Sequence, residues 1–340
     1  MKVSKLITIF WFSLSLSLTF AGIAQVFGSE TTQILPKASY NPQTSYINVL
    51  EPIIIDSNED FVQLEKDYEW CTGDGTEKNP YIIDDIHINA KEFNRTCMNI
   101  ENTDVYFIIQ NSRFENSMRN DIDGFYSSGI CLMDVSNGKI INNNLSYNFH
   151  GIYISHCLDC EVLDNTFLNH HNISKGKAIM LFNGFNNYIA RNDITNHYDG
   201  ICAWNSVNNT IHQNTITNTL HNPETGLYFV DCNETTISEN SLIGENGTYS
   251  AIEDIGGENN LFFNNVGFSS KGKSKGISLT NSHNNVIMGN VLIVLKYDTL
   301  ISISYIFLYA GIIGICIGFV FFSFEKRFKT IKPLSNLSIV

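Results

Sequence analysis

Four sets of side chains in this chain of 340 residues have types and spacings that chemistry can use. The first is an aromatic and apolar row, Tyr153, Phe182, Trp204 and Tyr228, interleaved with Cys131, Met133, Met180, Cys202 and Val230. Sugar rings stack on such faces, so the four aromatic residues could form a polysaccharide track; a loop or the polar leader packed over the row is the other reading. The second is a set of histidines, His150, His170, His171, His197 and His221, with Asp199 close by. His170 and His197 each lie five residues after an Asn, and neutral imidazoles stacked this way could bind copper or zinc, or exchange protons near neutral pH. Solvated turn histidines are the alternative. The third set is Asp231, Glu253 and Asp254, the nearest approach to the acid and base that must flank one glycosidic bond; Asp134 and Asp159 stand alone. The fourth is thiols. His156, Cys157 and Cys160 form an HCxxC cluster with no second CxxC to complete a zinc site. Cys157 and Cys160 therefore read as a local bridge or as two buried thiols, and Cys71 with Cys97 as a pair across the N-terminal cap. Copper, zinc and calcium are the candidate ions, and none is required.

A repeat must position these groups. A small residue opens each copy and an Asn follows fourteen positions later: Gly129 and Asn143, Gly151 and Asn165, Ala178 and Asn192, Gly200 and Asn214, Gly226 and Asn240, Ser250 and Asn264, Gly276 and Asn290. Opening residues are 22, 27, 22, 26, 24 and 26 apart, so all variation in length falls after the Asn. Apolar residues one and three after the opening residue, such as Ile152 and Ile154 or Leu227 and Phe229, have the period of a strand. A second strand surrounds the Asn, with an apolar residue three before it and another two after. The Asn sits at the bend, where it tolerates left-handed backbone and can bond to the same group one turn up or down. So short a unit cannot bury its apolar stripe alone and must stack.

Two or three short strands per copy, with no helical spacing, predict an all-β parallel β-helix. Cys97 to Asn111 reads as an earlier copy, which gives eight turns and a length of about 40 Å at strand spacing. Positions one and three then face inward and two and four outward, which puts the aromatic row on the solvent side. Glu253 falls in an inward column, where burial favours its protonated form, although Gly256 and Gly257 beside it predict a distortion and a slip of register. Cys131 with Cys202, and Cys157 with Cys232, share columns three turns apart, about 14 Å and too far for a disulfide.

The segment Trp70 to Ile88, WCTGDGTEKNPYIIDDIHI, together with the repeated frame, resembles right-handed parallel β-helix proteins of the NosD-like group over roughly residues 53 to 292. The resemblance implies a right-handed solenoid. For function it implies a choice, because that fold serves sugar-cleaving and sugar-epimerising enzymes, adhesins, and a periplasmic accessory protein linked to copper-enzyme maturation. The sequence offers no cluster of Asp, Arg and Lys of the kind calcium-assisted sugar lyases use on this fold.

The ends set the compartment. Residues 1–28 carry Lys2 and Lys5, an apolar run and then small residues, which is the pattern of a secretory signal peptide, or of an N-terminal anchor if uncleaved. A polar leader spans 29–52, the cap and first strands 53–96, and the repeats 97–295. In the cap, Ser57 with Asp60 resembles a helix start. Residues 300–322 are uncharged and long enough to span a bilayer, and the basic tail at 323–340 places the C-terminus in the cytoplasm. The expectation is a single-pass cell-membrane protein with an extracellular or periplasmic ectodomain that binds carbohydrate or another surface polymer. Copper handling of the NosD type is the second reading, and a polysaccharide lyase, hydrolase or epimerase the third. A net charge of −13 argues against nucleic acid or anionic lipid as the ectodomain's partner. Sequons at Asn94, Asn144, Asn172, Asn208, Asn233 and Asn246 fit a glycosylated exterior.

Overall fold

The computed structural model describes residues 46–49, 51–93, 95–117, 127–169, 176–218, 225–244, 250–269 and 275–294. Within them the chain winds through three sheets of nine, ten and ten strands, parallel except where Cys71–Thr72 pairs antiparallel with Tyr81–Asp84. The first sheet takes the opening strand of each turn, such as His150–Ser155, Lys177–Phe182, Asp199–Trp204 and Thr225–Val230. The second takes Glu161–Leu163, Tyr188–Ala190 and Thr210–His212, and the third Thr166–Leu168, Asp193–Thr195 and Thr215–Asn218. Successive turns pair in register, Ile152 with Ile179, Ile179 with Ile201, and Ile201 with Leu227. The result is an all-β parallel solenoid of the right-handed type.

Inward columns fill the core as the alternation predicts. Ile152, Ile154, Ile179 and Leu181 from the first sheet, Val162 and Ile189 from the second, and Phe167 and Ile194 from the third are all buried. The ladder of asparagines also forms: Asn165 Nδ2 donates to Asn192 Oδ1 (3.2 Å), Asn192 to Asn214 (2.9 Å), and Asn214 to Asn240 (3.1 Å). The ladder residue is not where the backbone turns left-handed, however. That role falls to the residue before it, Asp164, Arg191, Gln213 and Glu239, all with φ near +55°. An inward amide must reach two neighbouring turns, so the bend is made one position earlier. A second ladder, Asn187 Nδ2 to Asn209 Oδ1 (3.1 Å), lines another corner and escaped the sequence reading.

One turn slips by a residue. The ladder continues from Asn240 to Asn265 (2.9 Å) and on to Asn290 (2.8 Å), so Ala251, not Ser250, opens that turn and Asn265, not Asn264, belongs to the ladder. Phe262 is buried in place of Leu261, and Asn264 takes the left-handed corner. Because alternate residues face opposite sides, the slip exchanges faces: Asp254 points inward and Glu253 outward, the reverse of the sequence expectation.

More turns exist than the repeat shows. Ile53–Ile55, Tyr81–Asp84 and Ile86–Asn89 add strands below it. The polar leader is not wholly loose either, for Ile47–Val49 pairs with Ile86–Ile88 and satisfies an otherwise open sheet edge. The helix Asn58–Asp67 starts as expected, with Ser57 Oγ accepting from Asp60 N (3.3 Å). Its Phe61 stacks on Tyr81 and Phe107, at 5.2 and 5.1 Å between centroids, and closes the N-terminal end of the core. The segments 1–28, 300–322 and 323–340 lie outside the described residues, as do His170, His171 and His221. No described helix is long and apolar enough to cross a membrane.

Candidate functional site

The outward face of the first sheet brings most of the predicted groups together. Tyr153, Met180, Cys202, Tyr228 and Glu253 stand in one column on five successive strands, and Phe182, Trp204 and Val230 in the next. The face is largely covered. Cys131, Tyr153, Met180 and Cys202 form a second apolar cluster outside the core, with Met133, Phe182 and Tyr228 packed on it. Tyr153 is only 6% exposed, so it offers no ring to a sugar, whereas Trp204 is 37% exposed. Burial pushes the Cys202 thiol and the Tyr228 phenol up, with the neighbouring Cys202 and Glu253 raising Tyr228 further. Neither group is poised as a nucleophile or base.

A buried ion pair borders this cluster. Lys177 Nζ donates to Asp199 Oδ2 (2.7 Å), with the two side chains 11% and 3% exposed. Asp199 Oδ1 accepts from Thr225 N (3.1 Å), and the Lys177 ammonium lies 5.3 Å from the Tyr198 ring centroid. Lys177 N donates to His150 Nδ1 (3.1 Å), so that nitrogen must be the unprotonated one. His150, Lys177 and Asp199 form one column immediately before the opening residue of each turn. His150 and Asp199 are legible in the sequence as a histidine and a nearby carboxylate, whereas Lys177 carries no such signal, lying one position before the small residue Ala178 that opens its turn.

Among the described residues, Cys71, Cys97, Cys157, Cys160, Cys202 and Cys232 are buried thiols outside any disulfide. Cys157 Sγ donates to Ser155 O (3.2 Å), and Cys160 Sγ to Leu158 O (3.6 Å). Burial raises Cys71 and Cys97 to about 12. Of the two alternatives for Cys157 and Cys160, the structure has the pair of buried thiols, both at inward corner positions, and the pairing of Cys71 with Cys97 is absent. His156 sits at the left-handed corner, with Nε2 accepting from Asn183 Nδ2 (2.8 Å).

The carboxylates do not face one cleft. Asp231 is at an exposed corner, Glu253 is on the outer face, and Asp254 is inside with no solvent exposure. Asp254 Oδ2 accepts from Asn285 Nδ2 (3.1 Å), while Oδ1 has no hydrogen-bond partner. A Cβ on Gly257 would collide with Oδ1, so that glycine makes the room. Desolvation raises the Asp254 pKa, opposed by its polar neighbours Ser282, Asn285 and Asn260. A folded-state pKa above the unfolded value of about 3.9 means this group stabilises fully below that value and loses its contribution as pH rises through the folded pKa. Urea midpoints measured from pH 4 to pH 8 should therefore carry a falling component that Asp254→Asn removes. An unchanged pH profile in that variant would contradict the assignment.

Parallel sheets wound around an asparagine-laddered core define a parallel β-helix. The chain belongs to the NosD family, whose model, described as periplasmic copper-binding protein, matches residues 54–251. No curated protein matches it. Among solved structures it is similar to the DFA-IIIase of Arthrobacter chlorophenolicus without its lid, at 12% identity and TM-score 0.43, covering 73% of this chain and 76% of that one. It is similar to an alginate lyase from Paenibacillus sp. at 9% identity and TM-score 0.38, covering 72% and 99%. It is also similar to PfbA, a surface adhesin of Streptococcus pneumoniae, at 11% and 0.37, covering 64% and 81%. Copper finds no fit among the described residues, where no three His, Cys, Asp or Glu side chains gather to hold an ion. Both Asp199 oxygens and His150 Nδ1 are already engaged, and the buried His197 does not join them in a ligand set.

Proposed function

We propose that this is a membrane-anchored surface β-helix protein whose first sheet binds carbohydrate. The observation that supports this most is Trp204, partly open and one strand from Phe182, which packs on the apolar cluster of the same face. Phe185, 49% exposed at the following corner, extends the apolar surface. The track of the sequence reading is shortened at Tyr153 and now runs over Phe182, Trp204 and the Tyr228 edge. Lys177 and Asp199 neutralise each other, and Glu101 and Glu253 add two carboxylates to the strands on either side, which favours a glycan without carboxylates. Anchoring is supported by the uncharged run at 300–322 and the basic residues after it.

The test is retention of the detergent-solubilised chain on immobilised neutral and uronate polysaccharides. Trp204→Ala should weaken retention on a neutral glycan about tenfold, the equivalent of roughly 1.4 kcal/mol, while the melting temperature hardly moves. Equal retention of parent and variant would remove Trp204 from the site. Stoichiometric copper after dialysis would favour the metal-handling reading, and shortened polymer an enzyme.

A further inference from the structure

The last turn of the stack differs from those before it in charge and in closure. After Lys275, which starts its first strand, its sequence from 276 to 294, GISLTNSHNNVIMGNVLIV, has no Asp, Glu, Lys or Arg, whereas the preceding turn holds Glu253, Asp254 and Glu258 and the whole chain carries −13. The inward column that is sealed at Ile237 and Phe262 opens here, with Ile287 41% exposed. Val286, Met288 and Val291 beside it are 47%, 53% and 46% exposed. The strands Lys275–Thr280, Val286–Met288 and Val291–Val294 each end their sheet, so among the described residues one backbone edge of each has no strand partner. The opposite end of the core is closed by the helix bearing Phe61.

A soluble stack normally covers such an end or lines it with charge, because open edges and apolar ends associate. Here no described element covers the end, and the one Asp, Glu, Lys or Arg in its three strands is Lys275, at the start of the first. The chain continues instead into the uncharged run at Leu300, six residues after Val294 and so within about 20 Å of it even when fully extended.

We propose that the last turn is a membrane-docking face, seated end-on against the headgroup layer of a zwitterionic bilayer. The proposal rests on the membrane-anchor reading. Val286, Ile287, Met288 and Val291 supply apolar surface to the interface, and the missing carboxylates spare it both desolvation and repulsion. The open backbone edges confine the turn to the hydrated headgroup zone, since unpaired N–H and C=O groups are too costly in hydrocarbon. A second copy stacked end to end would use the same edges. The adjoining apolar run favours the bilayer, because its insertion brings the lipid surface to this end of the stack.

The experiment places the full chain in phosphatidylcholine nanodiscs, with Met288→Trp as probe and Leu158→Trp, midway along the stack, as control. Brominated phosphatidylcholine should quench the added emission of Met288→Trp at least twofold and leave that of Leu158→Trp unchanged, after subtraction of the parent chain. A chain that stays in the bilayer through alkaline extraction with Met288→Trp unquenched overturns the docking face but leaves the anchor. A chain that leaves the bilayer on extraction overturns the anchor and the docking face with it. Unquenched Met288→Trp in particles holding two copies assigns the end to self-association instead.

Discussion

Asn214→Leu should lower the unfolding free energy by about 3–5 kcal/mol, read as a fall in the guanidinium midpoint, while Thr215→Ala beside it changes stability by less than about 0.5 kcal/mol. Asn214 is fully buried and uses both ends of its amide. Nδ2 donates to Ile189 O (2.9 Å) and Asn240 Oδ1 (3.1 Å), while Oδ1 accepts from Asn192 N (3.0 Å) and Asn192 Nδ2 (2.9 Å). Leucine has similar bulk but orphans polar groups on the turns to either side. Each buried orphan costs roughly 1–3 kcal/mol, so the loss exceeds the worth of one hydrogen bond. Thr215 lies on the exposed side of the next strand and tests whether position in the stack matters without the amide. Comparable losses at both residues would show that the ladder contributes nothing special.

The second large effect is expected at the buried ion pair. Lys177→Met should cost about 3–5 kcal/mol, because it leaves the Asp199 carboxylate buried with only Thr225 N to satisfy it. Lys177→Met combined with Asp199→Asn should recover most of that loss, since the Asn oxygen can still accept from Thr225 N and no charge remains inside. The comparison separates a pair that stabilises from one that merely avoids a penalty. If the double variant is as unstable as Lys177→Met alone, the lysine stem and its contact with the Tyr198 ring carry the effect, and the charge does not.

The stack was legible because each turn repeats a short code: a small residue, two apolar positions at strand spacing, and an Asn fourteen residues on. The code failed at one turn, where it is degenerate. Ser250 and Ala251 are both small and Asn264 and Asn265 are adjacent, so local pattern alone cannot choose the register. Packing chooses it by burying Phe262 and by giving the left-handed corner to Asn264. The role of Asp254 changes with that choice. The leader strand Ile47–Val49 was hidden for a different reason, because three residues are too few to show a period and only the open edge of Ile86–Asn89 specifies them.

By itself the sequence determined the fold class, the inward columns, the asparagine ladder and the N-terminal cap, since each follows from side-chain periodicity or from chemistry within a few residues. Tertiary structure alone decided the state of the outer face. Alternation reports which side of a sheet a residue occupies, yet whether that side is wet depends on what packs over it, and so Tyr153 is buried while Trp204 remains open. It alone also joined Lys177 to Asp199, residues 22 apart that meet only because consecutive turns stack at strand spacing.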